Sequence, residues 1–510
     1  MRRDTRRVHL SRRFLILLLF AFGFWTNAVA DTSDLWGTNG ERWSPQSRLP
    51  DFSYAGYHCG EAPLPDVASG VSVKTFGAKG DGETDDTAAF LKALANVTSG
   101  AIEVPAGRYR ITNILEIKRS GVVLRGAGPD KTILFFPKPL QEIKPNWSAT
   151  TTGLRTSEYS WAGGLVWFKG DLGGRVLARI IAVTRRGETA LRLSTTNGLR
   201  VGQRVEIFQT DNADNSLAAE LYSGDPGDTR NLKGSTHASL VCSIVKMDGN
   251  QIHFDRPLRF DVGLQWHPQI RSFEPTVTES GVENLCFEFP NTPYAGHFTE
   301  VGYNAVAFSG VVDCWARNLR ITNADSGIFA NGRFCTIEGV VYESARKPDR
   351  NGDTGHHGFG FAGEDNLLIG FDYRTRFIHD ITVDHGAAGN VVANGRGVDL
   401  CFDHHERAPY ENLFADIDAG AGTHLWRCGG GAALGKHSGA CETFWNIRAA
   451  KPQGYPPKDF GPASMNFVAL QTDQPSEKNA TNRWFEAISP DKIIPQDIHA
   501  AQLARRLKVK

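Results

Sequence analysis

Val71-Ser72-Val73-Lys74-Thr75-Phe76-Gly77-Ala78-Lys79-Gly80-Asp81-Gly82-Glu83-Thr84-Asp85-Asp86-Thr87 joins a short strand to a Gly-rich turn and then to the start of a helix. The helix has Ala88, Ala89, Leu91, Ala93 and Leu94 as its apolar positions, with Asp85, Asp86 or Thr87 as N-cap. Ala101-Ile102-Glu103-Val104-Pro105-Ala106-Gly107-Arg108-Tyr109 and Val122-Val123-Leu124-Arg125-Gly126 follow, both short strands closed by Gly or Pro turns.

The run Phe76-Gly77-Ala78-Lys79-Gly80-Asp81-Gly82, with Thr84-Asp85-Asp86-Thr87 and then Val104-Pro105-Ala106-Gly107-Arg108-Tyr109, resembles the opening of the pectate-lyase-like superfamily. That group includes polygalacturonase-like hydrolases, polysaccharide lyases and phage tailspikes. The resemblance implies an all-β, right-handed parallel β-helix with an N-terminal capping helix. It covers about the first quarter of the mature chain closely and leaves the reaction open, since one fold hosts many chemistries.

A second sign of a solenoid lies further on. Asn followed by an apolar strand recurs at Asn284-Leu285, Asn318-Leu319, Asn366-Leu367, Asn390-Val391, Asn412-Leu413 and Asn446-Ile447, at spacings of 34, 48, 24, 22 and 34 residues. The two shortest read as single coils, the 34s as a coil plus a loop, and the 48 as two coils with Ile337-Glu338-Gly339-Val340-Val341 as the missing rung. Stacked Asn side chains would satisfy one another's amides along the axis, a structural role.

The remaining organisation follows from composition. Residues 1–30 carry a basic start (Arg2, Arg3, Arg6, Arg7, Arg12, Arg13), an apolar run from Phe14 to Trp25 too short to span a bilayer, and Ala28-Val29-Ala30 as a cleavage site. They read as a signal peptide, so a secreted or periplasmic protein is expected. Residues 31–70 form a lead-in and 71–171 the first coils. Residues 172–262 lack the coil period and read as a small inserted antiparallel β subdomain, with Asp211–Ser235 as its long loop. Residues 263–490 are the main β-helix, and 491–510 a C-terminal cap in which Gln496–Leu507 is helical. With 56 basic and 56 acidic residues, nothing points to nucleic acid or an anionic membrane as partner. Export makes disulfides feasible, and Cys428 and Cys441, bracketing Gly429–Gly439, are the best pair among eight cysteines. The alternative is that the cysteines are small apolar residues of stacked strands.

Titratable groups concentrate between His356 and Lys436. Eight of the 15 histidines fall there or directly after it: His356, His357, His379, His385, His404, His405, His424 and His437. Asp380-Ile381-Thr382-Val383-Asp384-His385 aligns with Asp399-Leu400-Cys401-Phe402-Asp403-His404 at an offset of 19. Period-2 alternation turns Ile381, Val383, Leu400 and Phe402 to the core and the acids outward. This alignment stacks Asp380 on Asp399 and Asp384 on Asp403, with His356 and His424 one coil away on either side. Carboxylates so opposed repel, unless a shared proton, a cation or an imidazolium relieves them.

Two reactions fit such a face. In β-elimination on a uronic-acid polysaccharide, Arg376, Arg396 or a metal neutralises the carboxylate, and His404, His405, Tyr373 or Lys436 takes the C5 proton. In hydrolysis, two of Asp380, Asp384, Asp399 and Asp403 serve as acid and base. His356, Tyr373, Arg374, Arg396, His424, Trp426 and Lys436 are the expected sugar contacts, Trp426 as a stacking platform. A divalent cation, Ca²⁺ for instance, is a cofactor such a patch suits, although no known ligand spacing names its donors. Asn323-Ala324-Asp325 and Gly355-His356-His357-Gly358 are similar to polygalacturonase-like motifs, but the Asp-Asp pair between them and a final Arg-Ile-Lys are missing. The balance therefore tips to a lyase, with a hydrolase and a non-catalytic glycan-binding β-helix as alternatives.

Overall fold

The computed structural model describes residues 31–509; the expected signal peptide lies outside them. Short Val/Ile/Leu/Phe-rich segments pair in parallel along two long sheets, as buried parallel strands do. One sheet runs through Leu115–Ile117, Val166–Lys169, Asn304–Val312, Ser326–Arg333, His357–Phe361, His379–Val383 and Phe402–His404. The other includes, in order, Gly100–Val104, Val122–Gly126, Gly281–Glu288, Trp315–Thr322 and Thr336–Glu343. It continues through Leu367–Ile369, Val391–Gly397, Leu413–Asp418, Thr443–Arg448 and Asn466–Leu470. Each turn of the chain adds one rung to a parallel β-helix.

The second sheet bends once per rung, always at the same place. Asn284, Asn318, Gly339, Gly370, Asn394, Asp416, Asn446 and Ala469 occupy matching register positions, and all have positive φ, between 51° and 70°. Gly, Asn and Asp dominate this column because the left-handed region disfavours other side chains. A second column precedes the strands: Asn366, Asn390, Asn412 and Glu442, all buried. Asn366 Nδ2 donates to Asn390 Oδ1 at 3.0 Å, Asn390 Nδ2 to Asn412 Oδ1 at 2.9 Å, and Asn412 Nδ2 to Glu442 Oε2 at 3.2 Å. The Asn recurrence in the sequence thus merges two columns. Asn284, Asn318 and Asn446 belong to the bend, and Asn366, Asn390 and Asn412 to the buried ladder. Inside the stack, Phe414, Phe444, Phe467 and Phe485 lie in register, the Phe444 and Phe467 rings being 5.1 Å apart and 4° from parallel.

The helix Thr87–Asn96 buries Ala89, Phe90 and Ala93, with Phe90 edge-on to Tyr109 at 5.5 Å. Gly173–Arg179, Gln269–Phe273, Arg204–Thr210, His237–Asp248, Gln251–Phe254 and Ala190–Arg192 form an antiparallel sheet in that spatial order, over a core of its own. Its last strand lies beyond residue 262, and the segment read as a loop contains the helix Ser216–Leu221. The C-terminal helix Ile498–Val509 does not sit on the end of the stack. It packs with Trp36, Leu49 and Phe52 of the lead-in over Val391, Leu413, Trp445 and Val468 on the outer side of the second sheet. These outward apolar side chains need a cover, which the two ends of the chain supply together.

A buried ionic knot ties the antiparallel sheet to the helix. Arg256 grips Asp365 with both terminal nitrogens, at 2.8 and 3.1 Å, and Arg259 reaches the same carboxylate. Burial alone would raise the Asp365 pKa, but the two guanidiniums outweigh it and hold it below the usual carboxylate range. Asp365→Ala leaves two buried cations short of a partner and should destabilise by about 3–5 kcal/mol in guanidinium denaturation. A depressed folded pKa stabilises above the unfolded value, and that share is lost as pH falls through the folded value. Acid titration of stability below pH about 4 should therefore be shallower in Asp365→Asn than in the wild type.

Candidate active site

The two rungs carrying the acids pair at an offset of 21 residues, not 19: Ile381 lies beside Phe402, Thr382 beside Asp403 and Val383 beside His404. Asp380 therefore meets Cys401 instead of Asp399. It is fully buried and accepts hydrogen bonds from the backbone N–H groups of Phe377 (2.9 Å) and Cys401 (3.0 Å). Burial pushes its pKa up to about 7. Asp380 closes a turn; it does not face outward. Asp384 is not stacked on Asp403 either, but pairs with its neighbour His385.

Asp403 is the hub of what the fold does bring together. Thr382 Oγ1 donates to its Oδ2 at 3.0 Å, the Gly429 N–H to its Oδ1 at 2.6 Å, and His405 Nδ1 lies 2.9 Å and His379 Nδ1 3.3 Å from Oδ2. Burial favours a neutral Asp403, but His379 and His405 prevail and hold its pKa well below the ordinary value. For His405, burial works downward, yet the Asp403 charge wins and pushes its pKa up to about 9. His405 Nδ1 is engaged, which leaves Nε2 as the free nitrogen of a ring that is 28% exposed. Gly429 allows this packing, since a Cβ there would fall 2.3 Å from His405 and 2.9 Å from His379.

Around the hub stand His297, His356, His357 and His379. His356 and His357 ring centroids are 4.1 Å apart, and those of His357 and His379 5.0 Å. His357 Nδ1 lies 3.1 Å from Thr382 Oγ1. Beside them, Asp353, fully buried, holds two half-exposed guanidiniums: Arg376 at 3.3 Å and Arg427 at 3.4 Å. Arg376 also stands 3.8 Å from Asp399, and His424 Nδ1 lies 3.1 Å from the same carboxylate. Asp399 accepts from Thr423 N–H and Oγ1 as well, so it ties the loop after residue 420 to the face.

Several expected site residues belong elsewhere. Tyr373 is fully buried, stacked on Tyr342 at 4.2 Å, and donates to the Asp380 carbonyl. His404 is fully buried, 2.9 Å from Glu442, where it ends the Asn ladder. Trp426 packs its ring among Phe402, Phe444, Phe460 and Phe467 and offers no platform to a sugar. Arg374 and Arg396 pair with Asp372 on the second sheet, away from the histidines. Lys436 bonds Asp225 at 2.5 Å and fastens the antiparallel region to the loop 429–441. Cys428 and Cys441 are unpaired, as are all the cysteines among the described residues. Cys428 accepts from His404 N–H, whereas Cys441 lies in the surroundings of Arg186, Glu411 and Arg48. Asp325 of the Asn-Ala-Asp segment accepts three backbone N–H bonds from Val301, Gly302 and Tyr303, each at 3.1 Å, and pairs with Arg346; it shapes a turn.

His297, Glu300, Asp353 and Arg427 were not singled out by the sequence. They enter from loops whose destination no local pattern reveals. The one local hint was Gly429-Gly430-Gly431, where Gly429 marks a close backbone approach. A concavity of about 590 Å³ lies elsewhere, beside the helix Thr87–Asn96, lined by Leu91, Leu94, Ile114 and Ile117.

Comparison with known proteins speaks to the opening coils. Residues 70–139 match the family model described as rhamnogalacturonase A/epimerase, pectate lyase-like. Over that stretch the chain is similar to pectate-lyase-like proteins. A stretch of the chain is 35% identical over 99 residues to the pre-neck appendage protein of Bacillus phage B103, covering 18% of this chain and 11% of that one. The chain is also 34% identical over 92 residues to alginate lyase 7 of Azotobacter vinelandii, covering 16% and 10%. The match thus spans about a tenth of these relatives' length. Among solved structures, the tailspike gp49 of Pseudomonas phage LKA1 aligns over 80% of this chain and 69% of its own, at 14% identity and a TM-score of 0.42. Among the described residues, no helix is long and apolar enough to cross a membrane.

Proposed function

We propose that this protein is an exported enzyme that cleaves a uronic-acid-containing polysaccharide by β-elimination at the face around His405. The observation that carries the reading is the ordering of charge. Asp353 and Asp403 lie fully buried, while the groups they hold, Arg376, Arg427 and His405, are partly exposed in front of them. A face that offers cations and an imidazole suits an anionic sugar. Arg376 and Arg427 pair with the uronate carboxylate and acidify the C5 proton. His405 Nε2, in the neutral form that prevails above pH about 9, takes that proton, so turnover should rise toward alkaline pH; Asp403 on Nδ1 fixes the tautomer and strengthens the base. The C5–H electrons form the C4–C5 double bond, the C4–O bond breaks, and the departing oxygen receives the proton that His405 has taken.

Hydrolysis by paired acids fits less well, because Asp380 and Asp403 are buried and committed to backbone and imidazole partners. The relatives named as an alginate lyase and as mannuronan C5-epimerases of Azotobacter vinelandii support a uronate substrate, through matches of 92 and 98 residues. Incubating the purified protein with a panel of uronate polysaccharides should raise the ultraviolet absorbance of an unsaturated uronate. New reducing ends without that absorbance would replace the lyase by a hydrolase. Glycan retention with neither signal would leave a binding module.

A further inference from the structure

We propose that His297, His356 and His379 bind a transition-metal cation of the Zn²⁺ class. One ring nitrogen from each lies within 4.8 Å of the others. Their ring centroids are 4.5 Å (His297–His356), 5.3 Å (His356–His379) and 5.8 Å (His297–His379) apart. Proximity of histidines is not by itself a site. What singles out this one is that His356 and His379 are buried, and neither nitrogen of either ring has a hydrogen-bond partner. Four buried, unpartnered imidazole nitrogens in one spot are hard to reconcile with a finished protein interior, where buried polar groups are bonded.

The surroundings sort these nitrogens into two kinds. Asp403 Oδ2 lies 3.3 Å from Nδ1 of His379, and Glu300 Oε2, itself without a hydrogen bond, lies 3.7 Å from Nδ1 of His356. Both carboxylates are fixed from behind, Asp403 by Thr382 and Gly429, and Glu300 by the Tyr294 hydroxyl. A carboxylate thus stands near Nδ1 of each imidazole, on the side where metal-bound histidines ordinarily have their outer support. It assigns Nε2 of His356 and His379 to the cation. His297 comes from the loop before the strand Asn304–Val312 and is exposed, so the third ligand stands at the mouth of the site.

Three nitrogen ligands leave a fourth tetrahedral position, toward solvent, as in reactive zinc sites and unlike closed structural ones. The donor set is imidazole, which suits Zn²⁺ and its first-row neighbours; Ca²⁺ takes six to eight oxygens and is not matched here. His379, Asp403 and His405 also cluster, but Asp403 and His405 are already joined at 2.9 Å, so that trio offers fewer free atoms.

The site stands apart from the lyase reading, because binding is measured without substrate. The full chain, stripped with a chelator, is titrated with Zn²⁺ by calorimetry and with Co²⁺ by visible absorption. One equivalent is expected, with the intense bands of tetrahedral cobalt. His297→Ala removes an exposed side chain, so the fold should persist while affinity falls at least about 100-fold; Glu300→Gln should weaken it about 10- to 100-fold. Failure of the wild-type chain to take up either metal stoichiometrically would overturn the proposal, as would undiminished binding in His297→Ala or a preference for Ca²⁺.

Discussion

His405→Gln is expected to lower the rate of uronate elimination by about 1,000-fold, the scale of a lost proton-transfer group. The same substitution costs some stability near neutral pH, since it takes one of two imidazole partners from the buried Asp403 carboxylate, but it should leave the coils folded. His405 is half-buried, its ring makes one hydrogen bond, and the ladders that hold the coils together pass through other residues. Asp403→Asn is the less informative variant, because Asp403 also holds Thr382 and the Gly429 N–H, so lost activity and lost structure would be confounded. Arg376→Ala supplies the contrast. Its expected defect falls on kcat/KM for charged substrate and shrinks when the uronate carboxylate is esterified, since the interaction it removes is with that charge. Full activity in His405→Gln on a substrate that the wild type cleaves would remove His405 from the chemistry.

A large loss of stability should come from a second residue with no part in chemistry. Asn390→Leu is expected to destabilise the protein by about 3 kcal/mol, read from the guanidinium midpoint at unchanged slope. Asn390 accepts from the backbone N–H and side-chain Nδ2 of Asn366, and donates to the Gly363 carbonyl and Asn412 Oδ1. All of these are buried, so the substitution strands partners on both neighbouring rungs at once. Asn318, in the bend column, is the control: its one bond to Asn284 is exposed. Asn318→Ala should lose only the left-handed preference, about 1 kcal/mol.

How much was legible in advance follows from which interactions are local. The strand, helix and short-strand opening at 71–126 is written in contiguous residues, and so is the rung at 336–343, where the sequence showed Ile337-Glu338-Gly339-Val340-Val341. Core-facing Ile381, Val383 and Phe402 follow from alternation within one strand, and they are buried. Alternation has period 2, so shifts of 19 and 21 residues turn the same side chains inward and no local signal separates them. That two-residue difference moved Asp380 from Asp399 to Cys401 and dissolved the expected acid column. Trp426 shows the same limit: a Trp on an outer face of the coils reads as a sugar platform until Phe444 and Phe467 are found against it.

The sequence by itself determined the repeating short strands, the Gly, Asn and Asp positions that turn them, and the concentration of histidines between His356 and Lys436. Only the tertiary structure decided which acids are buried supports, and that Asp403, His405, Arg376 and Arg427 share one face with His297 from a distant loop. The reason is that coils of unequal length meet through loops whose residues carry no periodic mark. Register across the sheet is chosen by the packing of the whole stack.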